Sequence, residues 1–241
     1  MSYVQNYVRV AAILFLISIV GGSIGEFYVP TKLIVLNDPS ATAANILANE
    51  RLLRLGFAGY LLEGLSDAAL ALIFYVLLKP VHRNLALLAA LIGVVSTAHY
   101  AVCQMLYFCA PILLKNPVFV ERFSREQLDA LIYLFVRISG YGASLFLAFY
   151  GSASLVRGFL MYRSGYLPKF LGALLSILGV AFILRSFTLV LAPTYSSELL
   201  LLPAPLTLIA MTTWFLVKGV DVRKWNARVL AMRAVADPSL T

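Results

Sequence analysis

Long apolar runs separated by short polar segments dominate the chain. Six of these runs are long enough to cross the hydrocarbon core of a bilayer, which takes about 20 residues of α-helix. The pattern therefore predicts an all-α protein, a polytopic membrane helix bundle with six transmembrane helices. The runs cover residues 8–29, 52–78, 85–114, 131–156, 170–191 and 199–217.

Two shorter helices are predicted outside these runs. In the loop 30–50, Asp38 and Pro39 suit the cap and first turn of a short helix that continues through Asn49. After the last run, apolar residues recur at helical spacing while basic residues fall on the other faces, as in an amphipathic helix at a membrane surface. The domain prediction is therefore a bundle over 1–218, with its loop 30–50 partly helical, and a cytoplasmic basic amphipathic tail over 219–241. The apolar positions of the tail are Val222, Trp225, Val229 and Met232.

Gly21 and Gly25 form a pair of small residues one turn apart in the first run. Such pairs let the backbones of two membrane helices approach closely. We therefore expect a close helix contact at this point.

Composition excludes a soluble domain. Of the 241 residues, 61% are hydrophobic and only 12% are charged, and the mean hydropathy is +0.90, whereas soluble domains are nearer one half apolar. The net charge of +8 comes mainly from loops, which favours contact with membrane lipids, and with anionic lipid at the cytoplasmic face, over contact with nucleic acid. Nucleic-acid binding is not expected, since it requires an exposed basic face.

The distribution of charge between alternate loops predicts the orientation. Segments on the side of the termini carry eleven basic residues against Asp221 and Asp237, whereas basic and acidic residues are balanced on the other side. Because cytoplasmic loops are enriched in Lys and Arg, both termini are predicted to be cytoplasmic and the chain to lie in the cell inner (plasma) membrane as a multi-pass protein. The eleven are Arg9, Lys79, Arg83, Arg157, Arg163, Lys169, Lys218, Arg223, Lys224, Arg228 and Arg233.

Glu63 and Asp67 interrupt the second apolar run. Four residues apart, they share one face of a helix. An ionisable residue within a transmembrane helix is costly, so it usually faces the bundle interior or a watery cavity and has a partner. The pair therefore marks the first candidate site.

Counting residues from the basic side chain at the cytoplasmic end of each run predicts the depth of the other ionisable residues. Glu26, Glu63, His99 and Arg185 each lie 16 or 17 residues away, which is about 24 Å of helix. They are thus predicted to share one layer in the outer leaflet, with Asp67 lower and Arg137 near the outer boundary. The candidate ligand or proton site comprises Glu26, Glu63, Asp67, His99, Arg137 and Arg185.

Several interpretations of this layer remain open. The charges either hold the helices together as a compensated cluster, with Glu63 and Arg185 as partners, or form a ligand or proton site. His99 is a hydrogen-bonded histidine in the bundle, a proton partner of Glu63, or a metal ligand with Cys103 one turn on. No HExxH, CxxC, P-loop, GxSxG or Rossmann fingerprint occurs, so no metal and no cofactor is predicted.

The polar residues that accompany the runs resemble a known family. The chain is similar, over nearly its whole length, to the membrane proteins of domain of unknown function family 4386. The resemblance implies a six-span prokaryotic membrane protein and carries no established activity, so it assigns no catalytic residue. It rests on Asp38, Asn45, Ile46, Asn49, Glu50, Arg54, Asp67, Tyr75, the LKPV of 78–81, the SGYLPK of 164–169, Trp214, Lys218 and Gly219.

The preferred functional hypothesis is non-enzymatic binding or transport of a small solute or lipid through the outer-leaflet ionisable site. One alternative is an intramembrane enzyme acting on a lipid, with Glu63 or Asp67 as general base, His99 as proton partner and Arg185 holding a headgroup phosphate. The other is a structural or accessory subunit of a membrane complex. The sequence does not decide between enzyme and binding protein, nor does it set the oligomeric state.

Overall fold

The six predicted membrane spans are confirmed. The computed structural model describes residues 3–236, and every regular element in that range is helical. Six helical segments are long and apolar enough to cross a membrane, and each contains one of the predicted apolar runs. They are Tyr3–Leu33, Glu50–Leu78, Arg83–Lys115, Arg125–Ser164, Lys169–Leu191 and Glu198–Val217.

Helix bounds follow the distribution of Pro, Gly and polar residues between the apolar runs. Proline occupies the start of several helices, where its missing N–H costs nothing. The helices are α1 Tyr3–Gly22, a π-helical turn Ser23–Tyr28, α2 Val29–Leu33, α3 Pro39–Ala48, α4 Glu50–Leu78, α5 Arg83–Phe108, α6 Ala110–Lys115, α7 Pro117–Arg122, α8 Arg125–Ser164, α9 Lys169–Leu191, 3-10 turns Pro193–Tyr195 and Glu198–Leu201, α10 Pro203–Val217 and α11 Val222–Ala236.

The assignment of Arg157 to a cytoplasmic loop is wrong. Helix α8 continues seven residues beyond it to Ser164, and Arg157 is only 6% exposed. Arg9 likewise lies inside α1, where its Nη2 donates to the Val217 carbonyl at 3.4 Å. A positive charge therefore does not always mark the interface in this chain.

The chain divides into two compact units, each with its own apolar core. We call the first the terminal unit; it comprises Met1–Leu16, Ser66–Thr97 and Leu147–Thr241. The second, the central unit, comprises Ile17–Leu65 and Ala98–Phe146. Phe15, Phe74 and Phe215 pack within the terminal core, whereas Tyr60 and Tyr100 belong to the core of the central unit.

In the terminal unit, the predicted C-terminal amphipathic helix forms as α11. The four predicted apolar positions are half-buried and the basic side chains of Arg223, Lys224 and Arg228 are exposed. Val222 and Trp225 pack on the core. Gln5 bonds both Lys218 O and Val220 N around the turn at Gly219, whose φ of 73° suits glycine. The Lys224 backbone N–H, donating to Asp221, holds the pKa of that carboxyl below its usual value. The last part of the predicted tail, 237–241, lies outside the described residues.

In the central unit, the predicted short helix of the loop 30–50 forms as α3. The Asp38 side chain accepts from the Ala41 N–H at 2.8 Å, and Pro39 opens the first turn. Ala43 and Ile46 are fully buried in the core of the unit. The cap therefore starts a helix that is part of the packed core.

Candidate functional site

Helices α1 and α4 approach closely in the central unit, as the glycine pair predicts. A Cβ on Gly21 would lie 2.7 Å from the Gly59 carbonyl oxygen, and one on Gly25 would lie 3.0 Å from the Gly56 carbonyl oxygen. The first distance is shorter than real Cβ atoms show and the second is tighter than most, so Gly21 needs glycine and Gly25 leaves little room for a larger residue. The close approach brings the side chains of α4 against the backbone of the first span.

Glu63 is the first polar side chain that this approach positions. It is half-buried, and a Cβ on Gly22 would lie 3.1 Å from its Oε1. The Glu63 carboxylate therefore lies over the end of α1, within one turn of Glu26.

Glu26 lies in the π-helical turn Ser23–Tyr28. Single π-turns inside membrane-length helices are rare and often occur at functional sites. Glu26 is exposed although it lies within the span Tyr3–Leu33, seven residues or about 10 Å from its end. Its Oε1 accepts a short hydrogen bond from the Tyr100 hydroxyl.

Two buried tyrosines support the carboxylates. The Tyr60 hydroxyl donates to the Gly25 carbonyl at 2.5 Å, and the Tyr60 and Tyr100 rings pack edge to face at 5.7 Å. Glu26 and Glu63 are both electrostatic neighbours of these two hydroxyls. We call Glu26, Glu63, Tyr60 and Tyr100 the carboxylate–tyrosine centre.

His99 lies on α5 next to Tyr100 and bonds to backbone. Its Nε2 is 3.1 Å from the Gly142 carbonyl oxygen and 3.6 Å from Cys103 Sγ. The Gly142 contact is a hydrogen bond of the kind that the first interpretation of His99 requires, and the proton-partner and metal-ligand interpretations stay hypotheses. Within residues 3–236, no three His, Cys, Asp or Glu side chains converge as a metal site.

Arg137 is on the exposed side of α8. Its Nη2 donates to the Tyr141 hydroxyl at 3.5 Å, and its guanidinium lies 5.4 Å from the centre of the Tyr141 ring. The Arg137 guanidinium therefore packs against an aromatic ring one turn on along the exposed surface of α8.

Arg185, in the terminal unit, is 8% exposed and has a local partner. Its guanidinium forms a short ion pair with Glu198 and a short hydrogen bond to Ser196, both in the turn that follows α9. Sequence analysis missed Glu198 as a partner, and the pairing of Arg185 with Glu63 stays a prediction.

Asp67 lines a small cavity of the terminal unit together with Arg157. Arg157 Nη2 donates to the Ala89 carbonyl at 3.4 Å, and the guanidinium lies 5.4 Å from the centre of the Phe74 ring. Asp67 therefore lies beside Arg157, a cation that the sequence analysis assigned to a cytoplasmic loop.

Sequence reasoning missed two residues that matter most, Tyr100 and Arg157. A signal existed for Arg157, because the apolar residues 158–162 that follow it extend the helix by more than a turn. No sequence signal singles out Tyr100 as the donor to Glu26, since the two are 74 residues apart.

The fold and these buried polar groups define a multi-pass helical membrane protein with ionisable side chains inside its spans. The family model described as a domain of unknown function (DUF4386) matches residues 10–219, and the chain belongs to this family.

A curated relative from Archaeoglobus fulgidus is described as an uncharacterized protein. It is 32% identical over 123 residues, which are 49% of this chain and 57% of the relative, so the match spans little more than half of the relative's length. No solved structure matches the chain.

Proposed function

We propose that the chain binds a small solute or lipid that carries a cationic group, through the carboxylate–tyrosine centre, and that any transport uses the same site. The observation that carries the proposal is Glu26, a residue exposed inside a membrane span whose carboxylate accepts a hydrogen bond from Tyr100. A charged carboxylate in an apolar layer needs a compensating positive group or a proton.

The chemistry of the centre favours a cation. Its members present two carboxylates, which are acceptors, and two tyrosine rings. Ammonium groups are recognised by carboxylates and by the faces of aromatic rings. A bound ammonium group therefore compensates the negative charge of a carboxylate of the centre within the membrane-spanning helices.

We further propose that the chain resides in the plasma membrane with both termini in the cytoplasm and contacts anionic lipid there. The excess of basic residues in the terminal segments supports this orientation. Exposed Arg223, Lys224 and Arg228 on α11, beside its half-buried apolar face, support the lipid contact.

Thermal unfolding of the full chain tests the ligand. Tetramethylammonium chloride is compared with sodium chloride in detergent at equal ionic strength, and phosphatidylethanolamine with phosphatidylglycerol in nanodiscs. A ligand at ten times its Kd raises the free energy of unfolding by about 1.4 kcal/mol. We expect tetramethylammonium or phosphatidylethanolamine to raise Tm in wild-type protein but not in Glu26→Gln. The control Glu121→Gln changes an exposed acid on α7 and should keep the rise in Tm.

Each outcome decides between sources or against the proposal. A shift with tetramethylammonium indicates a soluble cation, and a shift with phosphatidylethanolamine alone indicates a lipid. No shift with either probe, or a shift that persists in Glu26→Gln, contradicts the proposal.

A further inference from the structure

Arg157 is buried in the terminal unit without enough partners for its donors. It is 6% exposed, its one hydrogen bond to Ala89 is long at 3.4 Å, and its Nε has no hydrogen-bond partner among residues 3–236. A buried guanidinium with an unmet N–H carries a substantial desolvation cost. The fold nevertheless makes room for it, because a Cβ on Gly93 would lie 2.2 Å from Arg157 Nη2.

The missing acceptor has a place beside Arg157. The guanidinium lines a cavity of about 10 Å³ that is also lined by Asp67, Thr97 and Tyr150, with Phe15 and Phe74 on its apolar sides. This volume is about what one water molecule needs, and two to four polar partners hold such a water. Four polar side chains meet that requirement here.

Donors and acceptors around the cavity identify its occupant. Arg157 offers only N–H donors, whereas the Asp67 carboxylate offers acceptors. An anion would satisfy the arginine and be repelled by the aspartate, and a cation would do the reverse. Water is the species of this size that both accepts from the guanidinium and donates to the carboxylate.

We propose that the Asp67–Arg157 cavity is a binding site for a single water molecule, which bridges the guanidinium and the carboxylate within the membrane-spanning helices. The site is separate in chemistry from the carboxylate–tyrosine centre, and it does not depend on the proposed ligand. It explains how the chain keeps an arginine buried next to an aromatic ring.

Radiolytic hydroxyl-radical labelling of the full chain in nanodiscs tests the water directly. Radicals form from bound water on X-ray exposure and oxidise neighbouring side chains, even buried ones. Phe15 and Phe74 line the cavity and are each 4% exposed, whereas Phe182 and Phe215, which are 7% and 0% exposed, do not line it. We expect Phe15 and Phe74 to be oxidised several-fold faster than these two matched controls.

A charge-free variant sharpens the assignment. Asp67→Leu combined with Arg157→Met removes both partners at once, a replacement that buried ion pairs often tolerate. Labelling of Phe15 and Phe74 should then fall to the level of Phe182 and Phe215. Equal labelling of the four rings in wild-type protein overturns the proposal, as does undiminished labelling in the folded double variant. Should the double variant fail to fold, the wild-type comparison decides alone.

Discussion

The Asp67–Arg157 pair of the terminal unit and the carboxylate–tyrosine centre of the central unit both place ionisable side chains within apolar spans. In the first, a buried arginine and an aspartate share a cavity of about 10 Å³. In the second, Tyr100 donates a hydrogen bond to Glu26, Glu63 is an electrostatic neighbour of the same hydroxyl, and Glu26 is exposed as a residue. The first arrangement places a cation beside an acid, whereas the second places two acids together with no basic side chain among its members. Burial beside a counter-charge therefore favours a structural role, whereas an exposed acidic residue within a span favours a ligand.

The largest loss of stability is expected from removing one member of the Asp67–Arg157 pair. Arg157→Gln removes the buried cation that lines the cavity with Asp67, and removal of one member of a buried charge pair typically costs about 3–5 kcal/mol. We expect a marked loss of folded yield in detergent. Arg137→Gln, on the exposed side of the same helix, is the control and should change the yield little. An equal loss of folded yield in the two variants would show that the Asp67–Arg157 pair does not stabilise the chain.

Glycine substitutions should show that both units depend on close helix packing to a similar degree. A Cβ on Gly151 would lie 2.6 Å from the Gly179 carbonyl oxygen in the terminal unit, and one on Gly21 would lie 2.7 Å from Gly59 O in the central unit. Overpacking of this kind costs about 1–3 kcal/mol. Gly151→Ala and Gly21→Ala should therefore both lower Tm, whereas Gly140→Ala, with no atom within 4 Å of its Cβ, should not. A drop for Gly140→Ala would show that packing is not the cause.

Tyrosine substitutions in and near the carboxylate–tyrosine centre should have a smaller effect on stability. Tyr100→Phe removes the hydrogen bond to Glu26, which is worth about 1 kcal/mol net. Tyr107→Phe is the matched control, because the buried Tyr107 hydroxyl has no hydrogen-bond partner in the described part of the chain. Calorimetry of purified protein should show a lower Tm for the first variant only. If Tyr107→Phe destabilises as much, the Glu26 bond is not what stabilises this region.

Much of the fold could be predicted from the sequence, because span length and capping are local properties. The six spans, the Asp38 cap and the glycine contact of Gly21 all follow from residues close together in the chain. Partner choice is not local: Tyr100 reaches Glu26 from another span, and Glu198 reaches Arg185 only because a turn folds back. The depth count also treated the basic residue at the cytoplasmic end of each run as an interface marker, and Arg157 shows why that assumption fails.

The smallest effect is expected from a change of pH, which acts on the Asp221 cap of α11 and not on the carboxylate–tyrosine centre. The pKa of Asp221 is lowered in the folded chain, chiefly by the backbone N–H of Lys224. Its cap therefore stabilises α11 above the unfolded pKa, near 3.9, and this stabilisation is lost as pH falls through the lower folded value. Trp225 fluorescence in a Trp214→Phe background should change only in that acidic range, and Asp221→Asn should remove the change. A transition near neutral pH that survives Asp221→Asn would contradict this assignment.

The most direct test of the difference between the two centres is carboxyl modification by the lipid-soluble reagent dicyclohexylcarbodiimide. It reacts with protonated carboxyl groups that it can reach from the bilayer, and peptide mass spectrometry on the full chain in membranes at mildly acidic pH locates the product. We expect the reagent to modify Glu26 and to leave Asp67 unmodified. The modification of Glu26 should fall in the presence of the ammonium probe that raises Tm. Modification of Asp67 to the same extent, or an unmodified Glu26, would contradict the account.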